Sequence, residues 1–84
     1  MMGTDTFTVE ELEARVIKRG HGISLAGTVT PEVCAELLEV SVGTLRNWRS
    51  FGIGPRWVAT GRVRYRLAAI VDYLNSANTD TDAA

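Results

Sequence analysis

Residues 30–74 read TPEVCAELLEVSVGTLRNWRSFGIGPRWVATGRVRYRLAAIVDYL. Thr30-Pro31 is a helix start: a hydroxyl to cap open amides, then a proline whose missing N–H costs nothing at the first helical position. Cys34, Leu37 and Leu38 share one face, with Ala35 beside them, and predict a helix over 31–38. Ser41 is a second cap, Leu45 and Trp48 follow at i, i+3, and Gly52 is a stop, so a helix is expected over 42–51. Gly52-Ile53-Gly54-Pro55 reads as a loop. Trp57-Val58-Ala59 and Val63-Arg64-Tyr65 are β-prone runs around Thr60-Gly61-Arg62, which predicts a small hairpin. Its alternation places Val63 and Tyr65 on one face and Arg62, Arg64 and Arg66 on the other. Leu67, Ile70, Val71 and Leu74 predict a last helix over 67–75, with Tyr73 at its edge.

Upstream, Thr8-Val9-Glu10-Glu11 fits a capping box. Val9, Leu12, Val16 and Ile17 follow at helical spacing, and Gly20 stops a helix expected over 9–19. Residues 20–29 hold three glycines and read as a loop. Both ends look loose, Met1–Thr6 being polar and Asn75–Ala84 lacking any large apolar residue.

Eighty-four residues suffice for one small domain. No run approaches the roughly 20 apolar residues of a membrane span, and the start has neither the basic nor the apolar region of a signal peptide. The single cysteine excludes an internal disulfide, which fits a cytoplasmic setting. One histidine and one cysteine are too few for a structural zinc site, so neither a metal nor a cofactor is expected. Cys34 reads as a buried inert thiol, and His21 as a loop residue with no partner.

The net charge of −1 conceals segregation. Residues 1–39 carry Arg15, Lys18 and Arg19 against Asp5, Glu10, Glu11, Glu13, Glu32, Glu36 and Glu39. Residues 40–71 carry Arg46, Arg49, Arg56, Arg62, Arg64 and Arg66 and no acid, and residues 72–84 add Asp72, Asp80 and Asp82. A basic block of arginine alone points to an anionic partner whose phosphates or guanine edges suit a planar fork. A solvated basic face, or arginines paired with the acidic segments, is the plainer alternative.

Two short helices joined by a tight turn suggest a helix-turn-helix. With Leu45 and Trp48 inward, Gly43, Arg46, Asn47 and Ser50 lie on the opposite side, which has no large apolar residue. Arginine can pair with guanine and asparagine with adenine, while Ser41 and Thr44 stand in the first turn, where hydroxyls and amides hold phosphate. An ordinary exposed polar face has the same look. A hairpin with a tight Gly61 tip and outward Arg62, Arg64 and Arg66 fits a wing against DNA. Charges that merely protect a sheet edge are the alternative there.

Together these pieces resemble the MerR-like winged helix-turn-helix of small excisionases and AlpA-type regulators. The resemblance rests on TPE at Thr30–Glu32, AELL at Ala35–Leu38, VS at Val40-Ser41, TLRNWR at Thr44–Arg49, GP at Gly54-Pro55 and GRVRYR at Gly61–Arg66. It implies a mainly α fold with a small β-hairpin, in which residues 28–75 form the DNA-binding domain. Residues 1–27 would be an added helix and loop, and residues 76–84 a disordered acidic tail. It also implies that Arg46 and Asn47 enter the major groove. Ser41, Thr44 and Arg49 would meet phosphates, and Arg62 and Arg64, beside Thr60 and Gly61, would act in the wing. Arg66 would do the same or pair with an acid of the protein. Leu37, Leu38, Leu45, Trp48, Tyr65, Ile70 and Leu74 would be core. Trp57, which follows Pro55-Arg56, reads by itself as packing the hairpin onto that core, with stacking on a base as the alternative. This chain departs from the family pattern at Glu39, where glycine is common, and at Gly43, where a basic residue or proline is common. The wing tip is also one residue shorter than usual, and Ala68-Ala69 replace the acids that commonly open the last helix.

The function implied is that of an excisionase, which binds repeated sites near an attachment site cooperatively, bends the DNA and directs a tyrosine integrase toward excision. The expected partners are double-stranded DNA, that integrase and further copies of the chain on DNA, at the nucleoid of a host cell. No membrane or small-molecule ligand is expected. A small transcriptional regulator would use the same residues. No cluster of His, Cys, Asp or Glu and no glycine-rich phosphate loop suggests an enzyme.

Overall fold

The first helix begins where Thr8 caps it: the Glu11 amide donates to Thr8 Oγ1 at 3.2 Å, and the Thr8 amide donates to Glu11 Oε1 at 3.0 Å. In the computed structural model, which describes residues 6–83 (without the side chains of Thr60 and 77–83), this helix, α1, spans Val9–Lys18. A strand β1 follows at Thr28–Val29, then α2 at Pro31–Leu38, α3 at Val42–Phe51, strands β2 at Trp57–Thr60 and β3 at Arg62–Arg66, and α4 at Leu67–Ala83. The fold is mainly α, with a three-stranded antiparallel sheet of order β1-β3-β2. None of the described helices is long and apolar enough to cross a membrane.

The caps predicted for α2 and α3 act as such. The Val33 amide donates to Thr30 Oγ1 at 3.3 Å, and the Thr44 amide donates to Ser41 Oγ at 3.0 Å. Between these helices the chain turns through Glu39, whose φ of 60° is left-handed, and the Val40 amide donates to the Ala35 carbonyl at 3.0 Å. Gly52 ends α3 with φ 72°.

Three expectations are corrected. Residues 20–29 are not all loop, because Thr28 and Val29 pair with Arg66 and Tyr65 on β3. The last helix does not stop at 75 but runs to Ala83, since no glycine or proline follows Leu67 to end it. Of the tail expected to be disordered, residues 76–83 are therefore helical, and Ala84 lies outside the described residues. Met1–Asp5 of the loose N-terminus lie outside them too.

The helix expected within residues 1–27 packs into the same core as the rest of the chain. Leu12 and Val16 of α1 are fully buried in one cluster with Val29, Cys34, Leu45, Tyr65, Leu67 and Ile70. Each fully buried aliphatic side chain contributes about 1.5–3 kcal/mol, so α1 is part of the core rather than an addition to it. A reciprocal pair of bonds fixes its start against α4: the Phe7 amide donates to Asn75 Oδ1 at 2.8 Å, and Asn75 Nδ2 donates to the Phe7 carbonyl at 3.2 Å. Of the expected core residues, Leu45, Tyr65 and Ile70 are buried, while Leu37, Leu38, Trp48 and Leu74 pack half-buried around them.

Candidate nucleic-acid interface

Leu45, wholly buried, fixes the rotation of α3. Gly43, Arg46, Asn47 and Ser50 consequently face outward, and all four are exposed. Ser41 Oγ and Thr44 Oγ1 lie 2.9 Å apart at the head of this helix, bonded to each other rather than held apart. The Thr44 and Leu45 amides are engaged by the Ser41 side chain and carbonyl.

Arg49 behaves differently from its neighbours. It follows Leu45 by four residues, which places it toward the core side, and it is half-buried. Its Nη1 donates to Tyr65 Oη at 2.9 Å, and its guanidinium carbon stands 6.0 Å from the centre of the Trp57 ring. Arg49 thus fastens α3 to the sheet. Trp57 is 42% exposed and holds Arg49 over its ring, rather than packing the hairpin into the core as expected.

The hairpin arginines divide in the same way. Strand register pairs Trp57 with Tyr65 and Val58 with Arg64, so Arg64 and Arg66 leave the sheet on the side away from buried Tyr65. Arg64 is half-buried there: Nε donates to Thr28 Oγ1 at 2.8 Å and Nη2 to the Thr28 carbonyl at 3.3 Å. Arg64 and Arg66 line a groove of about 650 Å³ with Thr28, Val58 and Leu25. Arg62 and Gly61 are exposed at the tip, where φ 92° at Gly61 suits the residue that lacks a Cβ. Arg46, Arg62 and Arg66 are therefore the fully outward arginines among the expected site residues, while Arg49 and Arg64 are bonded within the protein.

Among the described residues, none of the six arginines of residues 40–71 forms an ion pair. Glu36 takes an ion pair from Arg19 Nε at 3.1 Å and a hydrogen bond from His21 Nε2 at 2.9 Å. His21, expected to have no partner, has one, and Arg66, for which an acid of the protein was the alternative to a wing contact, forms no ion pair among the described residues. Cys34 is fully buried, and burial pushes its thiol up to about 12, opposed in part by the positive charge of Arg49.

One exposed residue escaped the sequence reading. Phe51 closes α3 and is 76% exposed, four residues after Asn47 on the same side of the helix. Counting one more turn beyond Asn47 would have found it. Comparison with protein-family models, curated proteins and solved structures finds no match to this chain.

Proposed function

We propose that this chain is a sequence-specific double-stranded DNA-binding protein of the winged helix-turn-helix kind, in which α2 and α3 are the helix pair, α3 reads bases and the β2–β3 hairpin is the wing. The observation that carries this reading is the outward face of α3, where exposed Arg46 and Asn47 stand beside Gly43 and Ser50 in a segment whose arginines have no carboxylate partner among the described residues. Arginine donates two parallel bonds to guanine O6 and N7, and asparagine pairs with adenine N6 and N7. A phosphate at the head of α3 would meet the Val42 and Gly43 amides, because the Ser41 cap already engages those of Thr44 and Leu45. Arg62 at the hairpin tip would meet a second phosphate. Arg49 and Arg64 would act by holding the wing against α3 and β1 rather than as mobile phosphate contacts.

Within that reading the chain acts as an excisionase: it binds adjacent repeats near an attachment site, bends the DNA and recruits or redirects a tyrosine integrase. A single helix and wing bury little surface, so neighbouring copies share the work of binding. Footprinting tests this on DNA spanning the attachment site and promoters of the element that encodes the chain. Protection of several adjacent repeats beside the attachment core is the expected result. Protection confined to a promoter would make the chain a transcriptional regulator instead, and no protection at low salt would overturn DNA binding itself.

A further inference from the structure

Resting on the reading of α3 as the base-contacting helix, we propose that Phe51 extends the reading face and recognises the 5-methyl group of thymine in the major groove. Leu45 points α3 inward, and at 100° per residue Gly43, Asn47 and Phe51 then form one row along its outer side. Phe51 is 76% exposed and Ile53, just past the Gly52 cap, is 55% exposed, so the row ends in apolar surface facing water. Apolar side chains distinguish thymine from the other bases by contact with its methyl group, the one apolar feature in the major groove. DNA is favoured as the occupant over an acidic protein helix because Phe51 ends the row on which Asn47 stands, and the same outward side of α3 carries Arg46, exposed and without a carboxylate partner among the described residues. Asn47 pairing with adenine and Phe51 covering a thymine methyl would together read an A·T-containing step next to the bases met by Arg46.

The probe is a duplex selected from a random-sequence pool by the wild-type chain, then synthesised once with thymine and once with deoxyuridine, which lacks only the methyl group. Wild type is expected to bind the deoxyuridine duplex about fourfold more weakly for each covered methyl. Phe51→Ala is expected to bind both duplexes equally, at the affinity wild type shows for the deoxyuridine form. Equal wild-type affinity for the two duplexes overturns the proposal with no variant needed. So does a deoxyuridine penalty that persists in Phe51→Ala, a selected site without thymine, or a Phe51→Ala chain that binds the thymine duplex as well as wild type does, which would leave Phe51 for a protein partner. Selection of no duplex at all overturns the DNA-binding reading beneath it, which separates the two failures.

Discussion

Arg49 Nη1 donates to Tyr65 Oη at 2.9 Å, tying the last turn of α3 to the C-terminal end of β3. A charge-assisted bond of this kind, half-sheltered from water, is worth about 1.5–3 kcal/mol. Tyr65→Phe removes only the acceptor and is expected to lower stability by about 1–2 kcal/mol in urea denaturation. Arg49→Ala removes the donor, which is expected to cost as much or more, while the salt dependence of the proposed DNA binding stays near that of wild type. A salt slope flattened by about 0.9 in Arg49→Ala would instead mark Arg49 as a phosphate contact.

Gly54 sits against Trp48 so closely that a Cβ on it would lie 2.6 Å from Trp48 Cε3, and its φ is +85°. Left-handed backbone costs an L-residue roughly 1–2 kcal/mol, and forcing extra volume against a packed ring adds about 1–3. Gly54→Ala is expected to destabilise by about 2–4 kcal/mol, a drop in Tm beyond about 10 °C. Gly61→Ala, at φ +92° with nothing within 4 Å, should lose only the backbone part. Equal losses for the two variants would show that the Trp48 contact is soft.

The elements with local signals were legible. Thr30, Pro31, Ser41 and Gly52 fix the ends of α2 and α3 through bonds to residues three or four away, so a sequence carries them directly. Strand β1 was not legible, because two residues show no alternation and become a strand only by pairing with Arg66 and Tyr65 nearly forty positions on. The place of α1 in the core depended on packing against distant α4 in the same way. At the candidate site the outward direction of Arg46 and Asn47 followed from Leu45. The inward reach of Arg49 needed the position of Tyr65, and Arg64 needed Thr28. A residue's face can be read from periodicity, whereas the partner its long side chain finds is set by tertiary structure.

Glu39 adopts φ 60° at the turn between α2 and α3, where a Cβ crowds the backbone. Glycine escapes that cost, at the expense of some unfolded-state entropy. Glu39→Gly is expected to raise stability by about 0.5–1 kcal/mol, with Glu39→Ala near wild type because alanine keeps the Cβ. Thermal unfolding of the three proteins checks this, and a Glu39→Gly chain no more stable than Glu39→Ala would show that the turn is not strained.

The buried Cys34 thiol is raised from 9.0 to about 12, chiefly by burial. The folded state therefore favours the neutral thiol, and the unfolded chain gives up its proton first as pH rises. This contribution is fully present below pH 9 and is lost as the pH climbs toward about 12, at up to about 1.4 kcal/mol per unit. Comparing urea stability of wild type and Cys34→Ala from pH 8 to 10.5 isolates it, since other groups titrate in both. Wild type should lose part of its advantage above pH 9, and parallel curves would place the thiol in a wetter setting than the core.

The proposed reading helix and wing make separable predictions, because base contacts and phosphate contacts respond differently to sequence and salt. Arg46→Ala removes a fork on the outer face of α3 and is expected to weaken the selected site by about 1–3 kcal/mol while changing binding to random DNA little. Arg62→Ala removes a charge at the hairpin tip, so it should weaken selected and random duplexes alike. It should also flatten the slope of log affinity against log salt by about 0.9. Arg64→Ala is a third case. Its guanidinium is bonded to Thr28, so the loss should appear first in stability, through a loosened β1–β3 pair. Titrating all three variants against both duplexes across a range of salt, beside their urea midpoints, tests the division. Equal losses on selected and random DNA for Arg46→Ala would remove Arg46 from base reading. An Arg64→Ala chain of unchanged stability but flattened salt slope would return Arg64 to the DNA.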